Sequence, residues 1–257
     1  MSPDRLDLSP RPGAAPFPQM VAAQSAMEAR LMLRNGEQLL LAVVIPVIVL
    51  IGGVKGADRL GLDLAHPPVD VFTPGVLALA VMSTAFTSLA IATGFERRYG
   101  VIKRLGSSPL PRSGLLAGKV GGLLVIETMQ VAVIVVVGLA LGWEPADGLI
   151  GALLAVVVGT GTFAALGLFL AGILRAEATL AAANLVYLLL MAGGAVVLPT
   201  SAYGAFGHVA AWLPSGALGN GLRSALINGT LNLHSVTVLL VWSLVAAVLT
   251  ARTFSWE

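Results

Sequence analysis

The segment LIGALLAVVVGTGTFAALGLFLAGIL, Leu149–Leu174, carries no formal charge over 26 residues. A helix that crosses a hydrocarbon core of about 30 Å needs about 20 predominantly apolar residues, so this segment is long enough to span a bilayer. It lacks the alternation of period two that a barrel strand would show, and in lipid its backbone polar groups must be satisfied within the segment. It therefore predicts a transmembrane helix, and the fold class that we predict is an all-α integral membrane protein.

The composition of the whole chain agrees with this fold class. Of the 257 residues, 57% are hydrophobic and 11% are charged, whereas a soluble domain has about 25% charged residues. The chain has no cysteine, which excludes disulfides and thiolate ligation of haem or iron–sulfur clusters. The three histidines are too dispersed for a metal set, so we predict no metal site. The net charge of +2 does not indicate a nucleic-acid partner.

Five other apolar intervals resemble the opening segment, and together they predict six spans. The first has only 16 residues, which reach about 24 Å as a helix, so polar side chains at its ends are expected to snorkel. Those side chains are Glu37, Gln38 and Lys55. The six predicted spans are Leu39–Val54, Val71–Phe95, Val120–Trp143, Leu149–Leu174, Ala178–Leu198 and Ser235–Ala251.

The distribution of lysine and arginine predicts the orientation. With six spans, twelve of the fifteen basic residues fall on the side of the two termini, and Lys55, Arg59 and Arg223 fall on the other. Because basic residues in short loops are retained in the cytoplasm, we expect both termini to be cytoplasmic. The expected location is the plasma membrane, as the inner membrane of a prokaryote, with several passes.

The N-terminal region divides into two parts. Residues 1–16 are rich in proline and polar groups, and we predict a mobile tail. Residues 17–38 place Met20, Ala23, Met27 and Leu31 at helical spacing, which indicates a helix in the membrane interface. The alternative is a frayed extension of the first span. In either case residues 17–257 form one predicted transmembrane domain.

The segment between the fifth and sixth spans is uncharged for long enough to suggest further crossings, but it is broken by proline and glycine. Pro199, Pro214, Gly216 and Gly219 are among these breakers, and we assign them structural roles. They favour two half-length helices, about 202–212 and 215–228, which enter from the outer face and return to it. Irregular backbone at such depth is tolerated when it is buried against protein.

The loop FERRYGVIKRLGSSPLPRSGLLAGKV, residues 95–120, holds six of the fifteen basic residues. Tyr99, Ile102 and Leu105 can share one side of a short helix there. Pro109 and Pro111 cannot continue that helix, and Pro109 is assigned a structural role. A loop that only anchors orientation would explain the charges but not the apolar stripe. A short amphipathic helix between two spans is suited to docking on a soluble partner.

Several stretches, in this order along the chain, resemble the type-2 ABC exporter permeases. The loop sequence E-R-R-Y-G-V-I-K-R-L-G-S-S-P-L-P-R, followed by small residues and G-K, is similar to the cytoplasmic loop of that family. V-V-L-P-T at 196–200 and W-L-P-S-G-A-L-G-N-G-L-R-S-A-L at 212–226 are similar to the exit of its fifth span and to its outer half-helices. Residues 17–37 are similar to the interfacial helix that precedes its first span.

The resemblance implies a permease subunit of an ATP-driven exporter. Such permeases work as dimers, with a second copy or a homologous permease, and each inserts a cytoplasmic coupling helix into a separate ATPase subunit that binds ATP and Mg²⁺. The residues that the resemblance implies for coupling are Glu96, Arg97, Arg98, Tyr99, Ile102 and Leu105. This chain has no G-x-x-x-x-G-K-[ST] motif, so we predict that it is not itself an enzyme and holds no cofactor. The apolar spans favour an amphipathic drug-like or lipid substrate.

Two polar residues within the spans are candidates for the substrate path. Glu127 lies near the middle of the third span, where an ionisable residue is a functional candidate. It is alternatively a protonated or hydrogen-bonded carboxyl at a helix contact, with Gln130 nearby. Asn184, in the fifth span, is either an interhelical hydrogen-bonding residue or a substrate contact. Glu127 also leaves open a proton-coupled secondary transporter or an integral membrane enzyme.

Overall fold

The structure is a computed structural model that describes residues 15–57, 59, 61 and 64–253. Nearly all of the predicted mobile tail, residues 1–14, lies outside the described residues. The predicted snorkelling of Glu37 and Gln38 also lies outside them, because their side chains are not described. The described residues contain no strand, and the all-α prediction is confirmed for them.

Eleven α-helices follow one another along the described residues, with a π-helical and a 3₁₀ segment among them. They are α1 (Phe17–Arg34), α2 (Gly36–Gly56), α3 (Pro68–Met82), the π-helical segment Ser83–Ser88, α4 (Leu89–Arg98), α5 (Val101–Leu105), α6 (Arg112–Ala140), α7 (Leu149–Ile173), α8 (Ala176–Gly193), the 3₁₀ segment Thr200–Phe206, α9 (Gly207–Ala210), α10 (Pro214–Asn228) and α11 (Leu233–Thr253).

Five helical stretches of the described residues are long and apolar enough to cross a membrane. A sixth, shorter apolar stretch, Ala42–Gly56, forms most of α2 and corresponds to the short first span of the prediction. The five long stretches are Pro68–Arg98, Arg112–Ala140, Leu149–Ile173, Ala176–Gly193 and Leu233–Thr253.

One long helix runs through the middle of the molecule. α3, the π-helical segment and α4 continue without a break over 31 residues, Pro68–Arg98, which we call the central rod. The rod contacts α2, α6, α7, α8 and α10, and its side chains at 76–82 are almost fully buried. The other helices therefore pack around a core that is itself a single helix.

The two ends of the bundle differ in charge. One end carries α1, α5, the connection between α7 and α8 and the end of α11. Most of the lysines and arginines lie at this end, and we call it the basic end. The opposite end carries the connection between α6 and α7 and the segment from 194 to 232, and we call it the far end. This segment is packed into the bundle, since α10 contacts α3, α7 and α11.

The loop after the central rod differs from the prediction of one short helix that carries all six coupling residues. α4 continues to Arg98, and Gly100 then adopts a left-handed conformation with φ of 69° before α5 begins at Val101. Glycine accepts this conformation without a steric penalty. Glu96, Arg97 and Arg98 therefore belong to the end of the central rod, and only Ile102 and Leu105 of the predicted coupling residues lie on the short helix.

The far end also departs from the predicted pair of half-length helices. The first limb is a 3₁₀ segment followed by the four-residue helix α9, and Gly204 breaks it with φ of 53° and ψ of −132°. The second limb is a true helix, α10, as predicted, with Pro214 in its first turn. The preceding span ends at Gly193 rather than at Leu198.

Candidate functional site

A buried cluster of charges lies at the basic end and joins three helices. Lys119 of α6 is 1% exposed, donates to Glu28 Oε1 of α1 at 3.1 Å, and also forms an ion pair with Glu96 at the end of the central rod. Gln24 Nε2 donates to the same Glu28 oxygen at 2.8 Å. A buried charge is costly unless it is paired and hydrogen-bonded, so this cluster fixes the mutual positions of its three helices.

Small residues bring α1 close enough to α6 for these contacts. A Cβ atom built at Gly118 would overlap Gln24, and one built at Gly122 would overlap Glu28. The successive G-x-x-x-G pairs of α6 thus pack against another helix of the same chain. The buried face of α1 is polar, whereas Met27 and Leu31 are 40% and 58% exposed, so the apolar face points outward, as an interfacial helix requires.

The two arginines of the predicted coupling set attach the end of the central rod to the connection between α7 and α8. Arg97 Nη1 donates to the carbonyls of Ala171 and Gly172 in the last turn of α7, the latter at 3.0 Å. A cation there satisfies free carbonyls and matches the helix dipole. Arg98 forms an ion pair with Glu177 in the first turn of α8.

Ile102, one of the three residues of the expected apolar stripe, is fully buried within the chain. It packs within the chain against Leu115 of α6, with Leu105 and Leu110 beside it. The surface that α5 leaves exposed holds Tyr99 and Val101, which are 64% and 37% exposed, and Lys103 and Arg104, which are also exposed. We call these four residues the loop-tip surface.

The turn after α5 is closed by serine side chains. Ser107 Oγ and Ser108 Oγ donate at 2.6 Å to the carbonyls of Arg104 and Leu105, respectively. Pro109 lies in the exposed turn that follows, and Pro111 is the residue that precedes α6. The predicted end of the short helix before the prolines agrees with this geometry.

Glu127 is buried at the contact between α6 and α7. It is 2% exposed, and its Oε1 accepts a hydrogen bond of 2.6 Å from Thr160 Oγ1. Its Oε2 has no hydrogen-bond partner among the described residues. The predicted neighbour Gln130 bonds elsewhere, since it accepts from Thr84 Oγ1 at 2.6 Å and donates to the Ala42 carbonyl at 2.7 Å.

A cavity of about 610 Å³ opens beside Glu127, between α6, α7 and α10. Its wall is mostly aliphatic, with one aromatic side chain, that of Trp143. The lining residues are Leu77, Leu124, Glu127, Thr128, Val131, Val135, Leu139, Trp143, Pro145, Ala146, Asp147, Leu149, Ala152, Leu153, Val156, Val157, Leu222 and Leu226.

Asn184 does not lie at this cavity. It is exposed on α8 and makes no hydrogen bond to another described residue, so the interhelical bond considered from the sequence does not form within the described part of the chain. The two candidates for the substrate path are thus not brought together: Glu127 faces α7, and Asn184 faces outward from the bundle.

The far end is held together by Arg223 of α10, which is 6% exposed. Its guanidinium donates to three carbonyls in the turn after α8, those of Ala195 at 2.8 Å, Val196 at 3.0 Å and Leu198 at 2.7 Å. Burial lowers the pKa of Arg223 to about 10, so it remains protonated at neutral pH. Ser215 Oγ adds a bond of 2.9 Å to the Gly194 carbonyl.

The structural residues predicted at the far end lie around this turn. Pro199 precedes the 3₁₀ segment, and Pro214 begins α10. A Cβ atom at Gly216 would overlap the Ala210 carbonyl, and one at Gly219 would lie 2.7 Å from the Val196 carbonyl oxygen. The backbone passes too closely here for a side chain, which explains the glycines in α10.

Sequence reasoning missed the roles of Glu28, Lys119 and Arg223. Lys119 was counted among the loop charges, although it begins an apolar run that contains only one other charge, Glu127, before Glu144. Arg223 was likewise counted as an orientation charge, although no other charge occurs between Ala178 and the end of α10. An isolated charge in a long apolar segment was the available signal, since such charges are normally paired.

The comparisons with known proteins identify one family. The profile described as "ABC-2 family transporter protein" matches residues 69–252, which run from the start of the central rod to the end of α11. No curated protein and no solved structure matches the chain significantly.

Proposed function

The chain belongs to the ABC-2 transporter family, and we propose that it is the membrane-spanning subunit of an ATP-driven exporter. Membership makes it a permease, a component of membrane transport rather than an enzyme in its own right. The proposal adds the direction of transport, a separate ATPase chain that binds ATP and Mg²⁺, and a second permease copy or homologue. The observation that carries the proposal is the exposed loop-tip surface, which is attached directly to the central rod.

We further propose six spans, with α2 as the first. The 21 residues of α2 reach about 32 Å, which is sufficient to cross when its polar first turn lies in the interface. The basic end is then cytoplasmic, because α1 and the loop at 95–120 together carry eight of the fifteen arginines and lysines. The far end, with α10, faces outward.

The loop-tip surface has the composition expected for an ATPase contact. Tyr99 and Val101 supply exposed apolar area, Phe95 stacks on the Tyr99 ring at 6.1 Å, and Lys103 and Arg104 supply positive charge beside it. Aromatic anchors with neighbouring arginines are typical of the residues that dominate protein interfaces. This surface replaces the stripe of Ile102 and Leu105 as the proposed docking site.

The charge cluster supports transmission from that surface into the bundle. Glu96 lies on the last turn of the central rod, four residues before Gly100. Its ion pair with Lys119 connects the rod to α6, and the ion pair of Lys119 with Glu28 extends this connection to α1. Arg97 and Arg98 tie the same end of the rod to α7 and α8. A displacement of the rod's end by the ATPase would therefore move several spans together.

The outward face of α8 is the proposed contact with the second permease. Of the five long apolar stretches, α8 has the smallest share of residues buried within the described chain. Asn184 is an exposed polar residue on α8, between Ala183 and Leu185. A polar residue exposed in the middle of a span is expensive in lipid and favours burial against another helix. On this proposal Asn184 lines the space between the two subunits.

The test co-expresses the chain with each ABC ATPase chain encoded in the same genome and measures co-purification and ATP-dependent transport in inverted vesicles. Tyr99→Ala combined with Val101→Asp should reduce co-purification and transport at least tenfold, because a carboxylate replaces apolar contact. Val101→Thr, which keeps the shape of valine, is the matched control and should retain both co-purification with the ATPase and ATP-dependent transport.

Two results would contradict the proposal. If the Tyr99→Ala and Val101→Asp double variant binds the ATPase and transports normally, the loop-tip surface is not the contact. If transport follows a pH gradient without ATP and is lost in Glu127→Gln, the chain is a proton-coupled transporter that uses the Glu127 carboxyl.

A further inference from the structure

The cavity between α6 and α7 has an unusual distribution of charge. Its wall is apolar along α6 and α7, and its two formally charged residues, Glu127 and Asp147, are both acidic. No lysine or arginine contributes to this wall. A cavity with an apolar wall and only negative charge is complementary to a cation with an apolar body.

Glu127 supplies a specific contact for such a ligand. Thr160 occupies one carboxyl oxygen, and the other is buried without a partner among the described residues. No ion pair of the described residues involves Glu127. An ionisable residue within a span is normally paired with an opposite charge or faces a cavity. Glu127 faces this cavity, and no oppositely charged side chain of the described residues is paired with it. A protonated amine would provide both a counter-charge and a hydrogen-bond donor.

The shape of the cavity favours an elongated ligand. From Glu127 the wall continues along α6 to Leu139 and then to Trp143 and Asp147 beyond the helix end. The 12 residues from Glu127 to Leu139 correspond to about 18 Å of helix. Trp143 Nε1 is also buried without a partner among the described residues. Asp147 is exposed, so its charge can attract a cation from the aqueous side.

We propose that this cavity binds an amphiphile with one protonated amine and a single alkyl chain, with the amine at Glu127 and the chain along the wall toward Trp143. The proposal names a ligand class for the exporter. Only the claim that the bound amine is then exported rests on the proposed function. Binding itself is measured without the ATPase.

The binding experiment uses the purified chain in phosphatidylcholine nanodiscs and three brominated probes with the same twelve-carbon chain: an amine, an alcohol and a carboxylic acid. Quenching of tryptophan fluorescence reports binding, and Trp143→Phe removes the reporter at the cavity. The amine should bind at least tenfold more tightly than the alcohol, and the acid should bind most weakly.

Two substitutions locate the site. Glu127→Gln should lower amine binding at least tenfold and alcohol binding much less, because the neutral amide oxygen still accepts a hydrogen bond from a hydroxyl but supplies no counter-charge. Size-exclusion chromatography of the variant serves as the control for folding. Ala152→Phe should fill the cavity and weaken both probes, whereas Val136→Phe is the matched control, because Val136 is 65% exposed on α6 and does not line the cavity.

The proposal is overturned if the amine and the alcohol bind equally, if Glu127→Gln weakens both to the same extent, or if Trp143→Phe leaves amine quenching intact. Failure of the exporter function is a separate result: the amine would bind as described, but vesicles with the ATPase and ATP would not accumulate it. Conversely, ATP-dependent export of another compound without amine binding would contradict only the ligand class.

Discussion

At the scale of single residues, the most informative side chains are charges buried among apolar helices. Lys119 is shared by two carboxyl groups, those of Glu28 and Glu96, so the formal charges of the cluster sum to one excess negative charge. Removing the only cation and removing one of two anions are therefore different perturbations. Removal of one partner of a buried ion pair typically costs about 3–5 kcal/mol, because the remaining charge is left uncompensated.

We expect Lys119→Met to lower the free energy of unfolding by about 3–5 kcal/mol, since it leaves two adjacent carboxylates without a cation. Glu28→Gln should have a smaller effect, because Lys119 keeps Glu96 and the excess charge is removed. The triple variant with Lys119→Met, Glu28→Gln and Glu96→Gln should recover part of the loss. Thermal unfolding in detergent measures the order, and equal losses in the two single variants would contradict the charge argument.

Arg223 offers a second prediction at this scale. Arg223→Lys keeps the positive charge, but a single ammonium cannot reproduce a guanidinium that reaches three carbonyls. Both Arg223→Lys and Arg223→Leu should loosen the turn after α8. Val196 is fully buried, so Val196→Cys should resist a thiol reagent in the parent and react at least tenfold faster in either Arg223 variant. Continued protection would show that α10 holds the turn without Arg223.

At the scale of elements, apolar length predicted most helices, but it did not predict how their faces are used. The five long spans follow from long apolar runs, because the bilayer sets a minimum length for them. The stripe of Ile102 and Leu105 was assigned to a partner, whereas it packs on α6. An amphipathic pattern says that one side is buried but not by which surface, and the contact between Glu28 and Lys119 joins residues 91 positions apart.

The close packing of α1 on α6 predicts whether a Gly→Ala substitution raises or lowers the stability of the protein. In an exposed helix, Gly→Ala is stabilising by about 0.8–1 kcal/mol. Gly118→Ala should instead destabilise, because its Cβ would overlap Gln24 and force α1 away. Gly52→Ala in α2 is the control, since nothing lies within 4 Å of its Cβ position. The thermal midpoint should fall for the first and stay equal or rise for the second. A rise for both would contradict close packing.

At the scale of the whole molecule, the two ends of the bundle are predicted to face different compartments. The chain has no cysteine, so single introduced cysteines report on the side from which they are reached. Ala205, Asn228 and Ser107 are exposed, the first two at the far end and the third at the basic end. Their labelling in intact cells therefore tests the orientation that the basic residues predict.

Cysteines at Ala205 and Asn228 should react with an impermeant thiol reagent in intact cells, because both sites lie at the end proposed to face outward. A cysteine at Ser107 should react only after permeabilisation. Reaction of Ser107→Cys in intact cells would show that the orientation is the opposite of the proposed one. Labelling of only one of the two far-end sites would show that the segment between them crosses the membrane.

The partnership of α1 with α6 also constrains how the chain is made. Glu28 leaves the ribosome 91 residues before the lysine that neutralises it, an interval of roughly 5 to 20 s at a synthesis rate of 5–20 residues per second. During that time α1 and at least the first two helices of the bundle exist without α6. α1 is thus held in its final position only after the helix that contains Lys119 has entered the membrane, and a nascent chain that stops before Lys119 carries the Glu28 carboxylate without its cation.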